Sequence, residues 1–135
     1  MKKYLLILQA AVLALFFVSC NGKFTSTVVV KNLSQAEKGN YDDEITEIMV
    51  SEGTSENYKT VWNGNLKYNQ KVSYDIDSGK YCIKIKGTRI YTSGIKYDID
   101  ETCSKGNPIE FKNCDSILFV WDGTSLVNKG DIDQD

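Results

Sequence analysis

The sequence predicts an all-β fold: a single antiparallel β-sandwich of about eight strands, following an N-terminal signal helix. Three observations carry this. Beyond residue 22 no segment repeats apolar residues at i, i+3 and i+4 over two turns, the spacing an amphipathic helix needs. Short runs rich in Val, Ile, Thr and Tyr recur at near-regular intervals instead, several of them alternating apolar with polar residues. Asn63-Gly64, Ser78-Gly79 and Asp122-Gly123 punctuate those runs with dipeptides that favour tight turns.

In order along the chain, Met1 to Gly22 has the three-part layout of a secretory signal. Lys2 and Lys3 give the positive start, and Leu5 to Val18 is apolar except for Gln9. That run of about 14 residues is short of the ~20 that span a bilayer as a helix. Small Ser19 then precedes Cys20, with Phe17 three residues before the cysteine. Asn21 to Ser26 is a short polar stem. Thr25 to Val30, rich in β-branched residues, is the first strand, and Asn32 to Asp43 a loop. Ile45 to Val50 is the second strand. Its apolar phase slips, Ile45 and Met49 facing one way and Ile48 and Val50 the other, which calls for burial on both faces or a bulge.

Thr60 to Trp62 is a short strand ending at the Asn63-Gly64 turn. Val72, Tyr74 and Ile76 alternate with Ser73, Asp75 and Asp77, and Tyr81, Ile83 and Ile85 alternate with Cys82, Lys84 and Lys86. Joined through Ser78-Gly79, these two runs are expected to pair as a hairpin with one shared apolar face. Ile95, Tyr97 and Ile99 repeat the inward code. Ile109 to Lys112, Ile117 to Trp121 and Ser125 to Val127 complete the set. The resulting division is 1–19 signal peptide, 20–26 lipidated stem, 27–127 sandwich and 128–135 frayed charged tail.

Ser19-Cys20 resembles the lipobox of bacterial lipoprotein precursors, in which the cysteine sulfur is lipidated and the signal is cut in front of it. The resemblance implies lipidation at Cys20, anchoring to a membrane of the bacterial cell envelope, and a mature chain of 116 of the 135 residues. Loss of Lys2 and Lys3 takes the formal net charge from −2 to −4. That acidity, with no basic stretch, excludes a nucleic-acid partner. From Val30 to Lys86 the order of features resembles a group of secreted bacterial immunoglobulin-like sandwiches. The features are Asn32-Leu33-Ser34 closing a strand, the strand Ile45 to Ser51, Trp62-Asn63-Gly64-Asn65-Leu66, and Gly79-Lys80-Tyr81. Cys82 stands where members often have Asp. The Gly-Lys-Tyr entry is also similar to transthyretin-like sandwiches. Neither resemblance implies catalytic residues or a cofactor.

With no histidine in the chain, the usual base for a nucleophile is missing and no motif brings a cysteine to a lysine, so no enzyme is expected. The pairs Asp42-Asp43, Asp75/Asp77, Asp98/Asp100 and Asp131/Asp133 lack a calcium-loop pattern and are expected to solvate strand ends. Outside the cytoplasm, Cys103 and Cys114 are expected to form a disulfide closing about twelve residues, a gain of roughly 3 kcal/mol. Cys82 is left unpaired, with a Cys82–Cys114 bond and free thiols as the alternatives; no metal spacing is present. Among the tyrosines, Tyr74, Tyr81 and Tyr97 take inward positions, while Tyr58, Tyr68 and Tyr91 lie near loops and suit contact with a partner. The function expected is non-enzymatic, structural or interactive in the envelope. The alternative is a surface adhesin or inhibitor that holds a protein or glycan through loop aromatics.

Overall fold

A computed structural model describes residues 25–35 and 39–132. The signal segment, Cys20 and the end of the tail lie outside the described residues. Among the described residues nine strands run in order: β1 (Thr25–Asn32), β2 (Tyr41–Glu52), β3 (Lys59–Leu66), β4 (Lys71–Asp77), β5 (Gly79–Tyr91), β6 (Lys96–Thr102), β7 (Ile109–Phe111), β8 (Ser116–Trp121) and β9 (Leu126–Asp131). A 3-10 turn, Cys103–Gly106, follows β6. Among the described residues no helix is long and apolar enough to cross a membrane.

The strands form a two-sheet sandwich. One sheet has the order β4-β1-β8-β9; the other has the order β3-β2-β5-β6, with β7 paired to the first residues of β5. All pairs are antiparallel except β1 with β8. That one pair corrects the expectation of a purely antiparallel sandwich. The chain leaves β1, builds the opposite sheet, and re-enters beside β1 in the same direction.

Period-2 alternation supplies the core. Val28 and Val30 of β1 with Ile117, Phe119 and Trp121 of β8 face Ile45, Ile48 and Val50 of β2 and Tyr81, Ile83 and Ile85 of β5. Each such side chain removed from water contributes about 1.5–3 kcal/mol. The phase slip in β2 is a bulge: the register with β5 shifts between Ile45 and Glu47, so Ile45, Ile48 and Val50 all reach the core. Gly87 lies opposite Ile45 at this point, and a Cβ there would sit 2.1 Å from the carbonyl oxygen of Glu44.

Three expectations are overturned. The hairpin across Ser78-Gly79 does not form: β4 pairs with β1 in one sheet and β5 with β2 in the other. The junction is where the chain changes sheets. Ile76, Tyr81, Ile83 and Ile85 still share the core, but Tyr74 on edge strand β4 is exposed. Asn63-Gly64 is not a turn. β3 runs through it with an irregular register against β2, and the Trp62 indole lies over Gly64, where a Cβ would be 2.4 Å from the ring. Finally, the domain does not end at residue 127, because β9 continues to Asp131 in register with Ile117 of β8.

Candidate functional site

At one end of the sandwich the inward positions of β2 and β5 stop being aliphatic. Moving outward from Ile45 opposite Gly87, the cross-strand pairs become Asp43 opposite Arg89 and then Tyr41 opposite Tyr91. Arg89 is the only arginine in the chain. Its guanidinium clamps the Asp43 carboxylate with two bonds, Nε to Oδ1 and Nη2 to Oδ2, each 2.7 Å. Such bidentate, charge-assisted bonds are the strong ones. Nη2 also donates to the Gly123 carbonyl at 2.6 Å, and the guanidinium carbon stands 4.0 Å from the Tyr41 ring centroid.

The other sheet completes the cluster. Trp121 Nε1 at the end of β8 donates to Asp43 Oδ2 at 2.9 Å, and the Ser34 hydroxyl donates to the same oxygen. Asn32, wholly buried at the end of β1, donates from Nδ2 to the carbonyls of Asp43 (2.8 Å) and Leu66 (3.0 Å) and accepts from Ser34 N–H (3.0 Å). The Asn-x-Ser motif is thus the buckle tying β1 to the opposing sheet. Gly123, at φ +97°, passes so close that a Cβ would be 2.9 Å from Ser34 Oγ. Asp122 holds that turn by accepting from the N–H groups of Ser125 (2.9 Å) and Thr124 (2.8 Å), and the bond from Ser125 first of all lowers its pKa.

Burial alone would raise the Asp43 pKa. The hydrogen bonds from Arg89, Ser34 and Trp121 and the Arg89 charge together outweigh it, and the net shift is downward. The bond to Asp43, against the opposing effect of burial, raises the Arg89 pKa. Both groups stay charged, and the Asp43 carboxylate accepts four bonds, one at Oδ1 and three at Oδ2. The pair is a lock rather than a reagent.

Outside this lock a cleft of about 430 Å³ runs along β6 and under the β8–β9 turn. Arg89 and Trp121 form its floor; Tyr91, Tyr97, Asp98, Glu101 and Thr124 are among its walls. Tyr91 stacks on Tyr41 at 5.5 Å and edge-on to Tyr97 at 5.6 Å between centroids. Tyr97 is 59% exposed and Ile95 54%. This corrects the inward assignment of Tyr97: its side chain points to the sandwich side, but beyond the end of the core no opposing strand among the described residues covers it. Of the other tyrosines, Tyr81 is core, Tyr68 is exposed on the β3–β4 connection and Tyr58 lines a second cavity.

That second cavity, about 510 Å³, lies over Cys82 and Lys84. Cys82 is not the outward thiol its strand parity suggests. It is buried beneath the carbonyls of Gly53 and Gly106, to which its Sγ donates at 3.4 and 3.1 Å, and burial pushes its pKa up. Such a thiol is a poor nucleophile. Lys84 is committed elsewhere, to Asp100 at 2.7 Å and to the Tyr58 ring at 5.3 Å.

The expected Cys103–Cys114 disulfide is not formed: Cys103 is a free, buried thiol in the core cluster. Among the described residues no two cysteines stand at disulfide distance. The reason is β7. It pairs with Gly79–Tyr81, whereas β6, which leads into Cys103, pairs with Lys84–Ile90, so the two cysteines flank different stretches of β5. Among the described residues no three His, Cys, Asp or Glu side chains gather as a metal site. Asp42 and Asp43, adjacent in sequence, point to opposite faces, one exposed and one in the lock.

No protein-family model, curated protein or solved structure matches the chain.

Sequence reasoning missed the Asp43–Arg89–Trp121 cluster because it joins strands distant in the chain. One signal was available. A lone arginine on the inward phase of Tyr81, Ile83, Ile85 and Gly87 must meet a buried acid, and Asp43 stands on the inward phase of Ile45.

Proposed function

We propose that this chain is a lipid-anchored, non-enzymatic binding domain of the bacterial cell envelope, held to its membrane through Cys20 and engaging another molecule at the cleft beside β6. The observation that carries the reading is the contrast within that cleft. Its floor, Arg89 and Trp121, is committed by internal bonds to Asp43, while Tyr97 in its wall is left open to solvent. Rigid aromatic side chains on a fixed floor are what interfaces use for contact area at low entropic cost. The carboxylates of Asp98 and Glu101 along the wall make the cleft unsuited to a phosphate backbone. The anchor rests on Lys2, Lys3, the apolar run to Val18 and Ser19-Cys20.

Of the two sandwich types, the strand order supports the transthyretin-like one. In the immunoglobulin order the first two strands share a sheet, whereas here β1 and β2 lie in different sheets. A reading as surface adhesin differs only in the side of the membrane. Cys20→Ala tests the anchor: loss of palmitate labelling and of membrane fractionation is expected, and unchanged labelling would refute it. Protease added to whole cells separates the two sides, since a surface domain is shaved and an inward-facing one is protected.

A further inference from the structure

The geometry points to β6 as a docking edge for an extended, lysine- or arginine-bearing peptide, which adds to the sheet as its next strand with alternate side chains entering the tyrosine-lined cleft. This rests on the cleft reading above and names its partner class.

β6 is the last strand of its sheet, and among the described residues nothing pairs with its far side. Its hydrogen-bond phase against β5 is set at the hairpin, where Tyr91 N–H donates to the Ile95 carbonyl at 2.9 Å. In an antiparallel pair the bonded positions recur every second residue. The register continues unbroken through Arg89 with Tyr97, Gly87 with Ile99 and Ile85 with Glu101. The main-chain groups of Tyr97, Ile99 and Glu101 therefore turn toward β5, while those of Lys96, Asp98, Asp100 and Thr102 turn away from it. These form a ready row of donors and acceptors for an added strand.

The cleft follows that same stretch, from Tyr97 to Glu101, so a peptide in this position has a pocket beside it as well as a backbone to pair with. Main-chain bonds supply affinity and the pocket supplies selection. Charge decides what is selected. Among the described residues Asp98 and Glu101 have no ion-pair partner, and Asp100 shares one lysine, Lys84. A cationic side chain opposite Asp98 or Asp100 makes a favourable cross-strand pair. On the other face of the added strand the alternate side chains meet Tyr97 and Glu101, which share the sandwich-side phase. A second copy of this chain is disfavoured. Antiparallel pairing of two full-length β6 strands centred on Ile99 would set Asp98 against Asp100 twice, and like charges directly opposite repel.

The test uses the full chain purified from membranes in detergent, with the capped heptapeptide Lys-Val-Lys-Val-Lys-Val-Lys as probe. Its glutamate counterpart Glu-Val-Glu-Val-Glu-Val-Glu and a lysine peptide with proline at the central position are the comparisons. The lysine peptide should bind and slow amide hydrogen exchange in the segment 96–102, and both comparison peptides should fail. Asp98→Lys should weaken binding roughly tenfold, as fits an exposed charge pair reversed. Because Asp98 lies at the surface, thermal melting verifies that the variant is folded. Equal binding of the glutamate or proline peptide overturns the inference, as does lysine-peptide binding without slowed exchange in 96–102. Slowed exchange there that depends only on protein concentration also overturns it, in favour of self-pairing. If a hexasaccharide of N-acetylglucosamine protects the segment and the lysine peptide does not, the peptide inference falls and the binding cleft stands. If neither probe binds, both fall.

Discussion

Removing the Asp43 carboxylate tests the polar end of the sandwich most directly. Asp43→Ala strands three donors at once. The Trp121 indole N–H and the Ser34 hydroxyl are buried and lose the carboxylate they donate to, and Arg89 keeps the Gly123 carbonyl and Tyr91. A buried neutral donor without a partner costs about 1–3 kcal/mol, and breaking a buried ion pair from one side costs about 3–5 kcal/mol. The Arg89 side chain is 21% exposed and so recovers some hydration. The expected loss for Asp43→Ala is therefore about 3–5 kcal/mol, a large part of the 5–15 kcal/mol typical of a domain. For a domain of about 100 residues this lowers Tm by at least ~12 °C.

Arg89→Met should cost a similar amount and also change the pH profile. In the wild type the folded-state pKa of Asp43 is lowered, so its stabilisation is complete above the unfolded value, near 3.8, and is lost as pH falls through the folded value. In Arg89→Met burial is opposed only by Ser34 and Trp121. The folded-state pKa then lies higher than in the wild type, so less stability is lost as pH falls from 7 toward 4. Urea unfolding at pH 7, 5.5 and 4 reads both effects, and the double variant should lose less than the two single losses added together. Single losses below about 1 kcal/mol that simply add would refute a buried, coupled pair.

Two further outcomes follow from the packing. Gly87→Ala forces a Cβ against the Glu44 carbonyl at the β2 bulge and should cost about 1–3 kcal/mol by urea unfolding; an unchanged midpoint would mean that the bulge does not pass there. Cys82 and Cys103 should resist a thiol-labelling reagent in the native protein and react once it is unfolded in guanidinium, and rapid native labelling of either, mapped by mass spectrometry, would contradict their burial.

The β class was legible from local rules. Alternation along residues 81–85 and 117–121 marks core-facing strands whatever their partners, because successive side chains of an extended chain must point to opposite faces. The phase slip between Ile45 and Ile48 announced the bulge for the same reason, and Asp122-Gly123 announced its turn through side-chain acceptance and a positive φ. Partnership was not legible. A short link such as Ser78 can fold back as a hairpin or carry the chain to the facing sheet, and both bury Ile76 with Ile83; the choice depends on β1 and β2, each more than 25 residues upstream. The same non-local pairing sets Asp43 against Arg89, brings Trp121 from the other sheet and parts Cys103 from Cys114. Tyr97 shows the limit most plainly. Its alternation says inward, but inward means buried only where the second sheet extends far enough to cover it, and that is a property of the assembled sandwich alone.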